Sequence, residues 1–330
     1  MQPEHLRYLA CPSCHGDLRL EIRERSEGRI KSGDLHCMAC TQTYEIRGFV
    51  PRFVPQDNYA SNFGLEWTKH ARTQYDSDSG SNVSEKRFFE ETRWEHALPG
   101  ELILEAGSGS GRFTEQAVST GAMVISFDYS YAVEANYASN GHHPNLLIVQ
   151  ADIYRMPFRP ESFPKVFCFG VLQHTPDPER SLRSLVQVVS PGGNLVVDVY
   201  KRRARFKHML VTKYWVRPLT RKMDPARLYR LTPRHVRLMW PLAKWIHRLP
   251  YGRIINWQLL IADYRGTYDL REETLKEWAV LDTFDMLSPR YDFPQTIETV
   301  TRWCKDAGLG AIEVAFGYNG IEGRGIKPTA

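Results

Sequence analysis

Short apolar runs recur through the middle of the chain at Leu102–Leu104, Met123–Phe127, Asn145–Val149, Val166–Gly170 and Asn194–Tyr200. Runs of this length bounded by turn residues predict buried strands. Between them, Arg112–Thr120 and Glu179–Val189 space their apolar positions as helices do. Strands alternating with helices predict a mostly parallel sheet covered on both faces, a doubly wound α/β architecture. Weaker patterns flank this region. Leu18–Ile22 and Ile30–Leu35, with Gly28 between them, predict a hairpin, and Ala311–Phe316 with Glu322–Lys327 predict a second one that closes the sheet. Helices are predicted at Glu85–His96, ahead of Pro99, and at Thr296–Ala307. No apolar run approaches the roughly 20 residues needed to cross a bilayer.

At 330 residues the chain exceeds one ordinary domain. The pattern divides it at 1–54, 55–98, 99–200, 201–295 and 296–330. The net charge of +5 conceals an asymmetry, because Lys201–Arg253 holds sixteen Lys and Arg against the single acid Asp224. A basic character confined to one segment implies a local role and an anionic partner. Three partners fit: a phosphorylated or carboxylated small molecule, an anionic membrane surface met peripherally, or RNA. The same segment carries Trp215, Trp240, Trp245 and Trp257, and Pro218, Pro225, Pro233, Pro241 and Pro250 predict several short helices.

Four of the six cysteines form two knuckles, Cys11-Pro-Ser-Cys14 and Cys37-Met-Ala-Cys40, separated by 22 residues. Paired Cys-x-x-Cys units point to metal ligation in a reducing compartment, and four thiolates suit a closed, structural zinc site. Met-Gln-Pro-Glu-His at the start does not read as a secretory signal. The expected location is cytoplasmic, with contact at the inner membrane face through residues 201–253. The two knuckles and the apolar tail Tyr44-Glu-Ile-Arg-Gly-Phe-Val-Pro-Arg-Phe-Val resemble the zinc ribbon of Trm112-like proteins.

The first strand of the core enters Glu105-Ala-Gly-Ser-Gly-Ser-Gly-Arg, with glycine at 107, 109 and 111. Glycine is needed where backbone approaches a ligand or takes positive φ, and the helix that follows offers free N–H groups. This is nucleotide-cofactor geometry at the carboxyl ends of parallel strands. The dinucleotide fingerprint requires glycine at the sixth position, which here is Arg112. An acid about 20 residues beyond the turn, Asp128, can accept both ribose hydroxyls.

The G-x-G-x-G spacing behind Glu105 resembles motif I of the class I S-adenosylmethionine (SAM) methyltransferases. Asp128-Tyr129-Ser130, Gln150-Ala-Asp152-Ile153, Gly170-Val-Leu-Gln-His174 and Pro191-Gly-Gly193 follow in that family's order. The resemblance implies a seven-stranded Rossmann-like sheet and SAM as cofactor. In it Glu105 faces the methionine end, Gly107, Ser108, Gly109 and Gly111 pass beneath the cofactor, Asp128 meets the ribose, and Tyr129 after it also belongs to the cofactor site. Asp152 bonds the adenine amino group, Ile153 packs on its ring, and Gly170 and Val171 border the site.

In that family the connection after the fifth strand overlies the substrate mouth. Residues 201–295 are therefore expected to form a basic helical lid, with Asp282, Asp285, Arg290 and Tyr291 placed to hold substrate. His174 is the expected catalytic base, because histidine titrates near neutrality and follows the strand where the acceptor approaches. Tyr59, Phe63 and Trp67 either fold over the cofactor or pack between domains. The favoured activity is methyl transfer to a small-molecule, glycan-precursor or natural-product acceptor. RNA base methylation is the alternative, because some rRNA methyltransferases carry an N-terminal zinc finger. A non-catalytic adaptor is a third, opposed by the intact Glu105, Asp128 and Asp152.

Overall fold

In the computed structural model, residues 1–55, 60–202 and 211–329 are described. Tyr59 and the stretch 203–210 lie outside them. The elements run β1 (Leu18–Ser26), β2 (Arg29–Cys37), β3 (Thr43–Arg47), β4 (Val50–Arg52), α1 (Ser61–Lys69), α2 (Asp76–Ser79) and α3 (Val83–Thr92). Next come β5 (Leu102–Ala106), α4 (Arg112–Ser119), β6 (Met123–Asp128), α5 (Val133–Asn140), β7 (Leu146–Gln150), β8 (Phe163–Cys168), α6 (Pro178–Val188) and β9 (Val189–Val199). The chain finishes with α7 (Lys213–Thr220), α8 (Pro225–His247), α9 (Gly252–Gln258), α10 (Glu272–Leu287), α11 (Ile297–Asp306), β10 (Gly310–Gly317) and β11 (Gly320–Ile326).

All these strands join one sheet in the order β1-β2-β3-β4-β7-β6-β5-β8-β9-β11-β10. The segment from β7 to β10 is the doubly wound part. Its strands β7, β6, β5, β8 and β9 are mutually parallel, and β11 and β10 return antiparallel at the edge. The order reverses at β5, so β5 and β8 splay their following loops to opposite faces, which opens a crevice at their carboxyl ends. Strands β5, β6, β7 and β9 are buried on both faces, as their Val, Ile and Leu runs require, whereas the edge strand β10 is largely exposed.

Residues 1–54 share the sheet and the core of the rest of the chain. Strand β4 pairs in parallel with β7, Arg52 opposite Gln150. Leu9, Cys11, Leu18, Ile30, Leu35 and Ile46 belong to the same buried cluster as Leu104, Phe127 and Phe158. Phe53 N donates to Gln150 O (2.8 Å), Ala10 N to Pro157 O (2.8 Å), and Arg52 Nη2 reaches Glu134 Oε1 (3.1 Å).

Three expectations change. Pro233 and Pro241 do not end helices; both lie inside the 23-residue α8. Interior proline removes one N–H bond and strains the preceding turn, but burial of Val236, Trp240 and Ala243 against Leu275 and Ala279 of α10 holds the helix together. The polar segment at 281–292 is helical as far as Leu287, where α10 ends, in keeping with the helical character expected of 201–295. Pro191-Gly-Gly193 sits inside β9 at an irregularity in its pairing with β8, not ahead of the strand. Helix α3 stops at Thr92, where Arg93 adopts φ +56° as C-cap.

Candidate active site

The turn from β5 into α4 takes positive φ at Gly107 (+78°), Gly109 (+54°) and Gly111 (+96°). A Cβ on Gly107 would collide with Val171, and one on Gly109 would lie 3.0 Å from Trp67 Nε1. Gly107 N and Ser108 N donate to Phe127 O at 2.7 and 3.1 Å, which ties the turn to the end of β6. Asp128 completes the tie. Its Oδ2 accepts Gly109 N (2.9 Å), and its Oδ1 accepts the Ser130 amide and hydroxyl (both 2.7 Å). Burial raises the Asp128 carboxyl, while these hydrogen bonds oppose the rise.

A buried polar network supports this turn from below. Glu105 Oε2 accepts Thr114 Oγ1 (2.5 Å) and Ser126 Oγ (2.7 Å), and Asn136 Nδ2 donates to both hydroxyls. Asn140 Nδ2 donates to Gly111 O (3.0 Å), and Tyr75 OH donates to Ser110 O (2.6 Å). Burial lifts the Glu105 carboxyl to about 7. None of Tyr75, Asn136 and Asn140 was a candidate in the sequence. The Asn136/Asn140 pair at helical i, i+4 spacing was the available signal.

Above the turn lies a cavity of about 710 Å³, within the range that encloses a cofactor-sized ligand. Gly107, Ser108, Gly109, Asp128, Tyr129, Ile153, Gly170, Val171 and His174 all line it, so the sequence candidates converge here. Five others stand apart from the lining. Glu105 lies behind the glycine turn within its network. A Cβ on Gly111 would strike Asn136, so this glycine serves packing on α5. Asp152 Oδ1 accepts Tyr154 N (2.9 Å) and stabilises its own turn. Arg290 is exposed, and Tyr291 contributes a backbone carbonyl to His174 in place of a side chain.

The opposite wall comes from α1 and α10. Phe63, Glu66 and Trp67 line the cavity from α1, and Trp278, Asp282 and Asp285 from α10. Glu66 is fully buried, and neither of its oxygens has a hydrogen-bond partner among the described residues. Burial, then the nearby Asp285 and Asp282, pushes its carboxyl well above the ordinary range. Burial also lifts Asp282 to about 7, while Asp285 accepts the Tyr200 hydroxyl at 2.9 Å. Rings of Tyr200, Tyr214, Trp257, Tyr264 and Tyr268 complete this chamber. Glu66 was missed because only the fold of α1 onto α10 brings it beside the two aspartates.

His174 occupies the 3₁₀ turn Leu172–His174 after β8, its ring 5.3 Å from those of Phe63 and Tyr200. Its Nδ1 lies 3.0 Å from Tyr291 O. A carbonyl only accepts, so Nδ1 carries the proton, and in the neutral ring Nε2 is a lone-pair acceptor. Nε2 has no partner among the described residues. The carbonyl is held in place because the next residue, Asp292, lies 3.0 Å from Lys213 Nζ and 3.8 Å from Arg217 Nε. Burial alone would raise the Asp292 carboxyl, but these cations hold it below the usual range.

The four cysteine sulfurs all lie within 4.8 Å of one another. Cys11–Cys40, Cys14–Cys40 and Cys14–Cys37 are separated by 3.7, 3.6 and 3.4 Å. Tetrahedral zinc with bonds of about 2.3 Å sets its sulfurs roughly 3.8 Å apart. The donor set therefore fits a structural zinc ion.

Residues 104–197 match the family model described as a methyltransferase domain. A demethylmenaquinone methyltransferase of Renibacterium salmoninarum is 27% identical over 165 residues, 46% of this chain and 66% of the relative. A ubiquinone biosynthesis O-methyltransferase of Coxiella burnetii is 30% identical over 118 residues, 35% of this chain and 49% of the relative. The chain thus spans about half to two thirds of the length of these relatives. Among solved structures, a complex of the Haloferax volcanii Trm112 methyltransferase activator overlaps at a TM-score of 0.46 with 13% identity, covering 81% of this chain and 97% of that chain. The chain carries a class I methyltransferase fold. Within it, residues 104–197 match a methyltransferase domain, and a cluster of four cysteines lies ahead of that domain.

Proposed function

We propose that the protein is a SAM-dependent methyltransferase that methylates a hydroxyl of a small, ring-bearing acceptor. The observation that carries this reading is the state of His174: Nδ1 is committed as donor, and Nε2 is free to take a proton at the cavity wall. The chain fits the cofactor. Gly107 lets Val171 close against the turn at the cavity wall, and the Ser108 hydroxyl is buried there without a partner among the described residues. When bound, SAM supplies an activated sulfonium methyl, so the residues chiefly align the reactants. Asp128 and the glycine turn would hold the cofactor, with Ile153 and Val171 against it. His174 Nε2 accepts the acceptor's hydroxyl proton, and Phe63 with Tyr200 fixes the imidazole. The aromatic chamber beyond suits a flat acceptor and excludes water from the transfer. The names of the two curated relatives, both quinone-pathway methyltransferases, agree with a small ring-bearing acceptor.

The test uses methyl-labelled SAM with a panel of phenols, catechols and quinols. Label transfer to a member of the panel is expected. His174→Gln should lower turnover on that acceptor by about 10²–10⁴-fold, with calorimetric affinity for SAM within about twofold of the parent, as the free-energy logic of a lost transition-state contact requires. A parent protein that shows no heat with SAM would end the proposal.

A further inference from the structure

Helix α8 carries two apolar stripes. Leu228, Thr232, Val236, Trp240, Ala243 and Ile246 face inward. Leu231, Leu238, Leu242 and Trp245 also recur at helical intervals, but they face solvent, Leu238 at 79% and Trp245 at 58% exposure, and Leu249 just past the helix end is exposed as well. An outward apolar stripe on a long helix is rare without a partner. Flanking it, Arg230, Arg234, Arg237 and Arg248 are exposed, and none has an acidic partner among the described residues.

The neighbouring helices repeat the pattern and tie it to the cavity. Helix α7 lines the cavity with Lys213 and Tyr214 and exposes Trp215 and Leu219. Helix α9 lines it with Ile254 and Trp257, while Tyr251 at its N-cap is 80% exposed and Ile255 also faces solvent. The elements that close the acceptor chamber are therefore the ones that present apolar side chains outward.

We infer that α7–α9 form a docking surface for an anionic phospholipid membrane, set so that the rim of the cavity meets the lipid. Leucine and tryptophan side chains ringed by unpaired arginines suit the boundary between acyl chains and anionic headgroups. RNA would use the arginines and stack on the tryptophans, but exposed leucines gain nothing from phosphate or sugar. No helix among the described residues is long and apolar enough to cross a membrane, so the contact is peripheral.

The experiment is sedimentation of the full chain with vesicles. It should pellet with mixed phosphatidylcholine–phosphatidylglycerol vesicles and stay in solution with phosphatidylcholine alone, and raised salt should weaken the association. Leu238→Glu with Trp245→Glu, both on exposed positions, should cut partitioning by about tenfold or more, and Arg234→Glu with Arg237→Glu should do so as well. Both doublets should keep the parent's circular dichroism and its calorimetric response to S-adenosylhomocysteine. Vesicle binding indifferent to the leucine–tryptophan doublet would overturn the inference. So would absence of vesicle binding alongside tRNA retention that only the arginine doublet removes, or alongside a self-association that Leu238→Glu breaks. A chain that pellets with vesicles yet ignores SAM would sink the proposed enzyme and leave the surface standing.

Discussion

Glu105 is held at 2% exposure with its charge opposed by burial, and its carboxyl stands near 7 where an exposed one would stand near 4.5. Between these values the folded chain keeps a proton that the unfolded chain has released. The stability tied to this group is therefore complete below pH 4.5 and is lost as pH rises through about 7. The shift corresponds to roughly 3 kcal/mol. Glu105→Gln keeps an oxygen for Thr114 and Ser126 and removes the titration. Denaturant unfolding across this interval should show the variant gaining on the parent by roughly 3 kcal/mol as pH rises. A difference that stays flat with pH would show that the carboxyl is ionised in the folded state. The residues legible from sequence were those whose roles are set by neighbours in the chain: Gly107 and Gly109 by the turn, Asp128 by its place after a strand. Glu66, Tyr75 and Asn136 draw their roles from distant contacts, and no local spacing encodes those.

The glycine turn separates two jobs that look alike in sequence. Gly107 borders the cavity, and a Cβ there would strike the Val171 side chain. Gly111 abuts Asn136 and Asn140 beneath the floor. Each substitution by alanine also forces a left-handed φ at a cost of about 1 kcal/mol. A Cβ at Gly107 displaces the Val171 side chain from the cavity wall, so Gly107→Ala should weaken SAM binding by about tenfold or more, with a stability loss of only about 1 kcal/mol. Gly111→Ala breaks the Asn136 and Asn140 contacts, and should cost about 2 kcal/mol or more of stability before affinity is affected. Calorimetry and thermal unfolding on both variants separate the two effects, and equal affinity losses would refute the division. Strands and short helices were readable because their periodicity is local. The length of α8 was not, because Pro233 and Pro241 argue for breaks and only packing against α10 overrides them.

The ribbon and the catalytic sheet share their strands and their core, so the cysteine cluster is mechanically connected to the active site. The path is short. Cys37 ends β2, β2 pairs with β3, β3 with β4, and β4 with β7 at Gln150. Gln150 is in turn the register partner of Asp128 on β6. A bound zinc would close the free end of this ladder, where four thiolates otherwise crowd together. If the ribbon were a separate module, a chelator would melt it alone and leave a catalytic transition unchanged. The shared cluster from Leu9 to Phe158 predicts a different outcome. Chelation with a strong zinc ligand should lower the midpoint of one common thermal transition by about 5 °C or more. It should also weaken SAM binding, because loss of the β4 pairing frees the β7 edge beside Asp128. Removing residues 1–54 goes further, since it exposes β7 as an unpaired hydrophobic edge, and the truncated chain should aggregate. Two resolved transitions in calorimetry, with SAM affinity untouched by the chelator, would show that the ribbon folds independently of the site it adjoins.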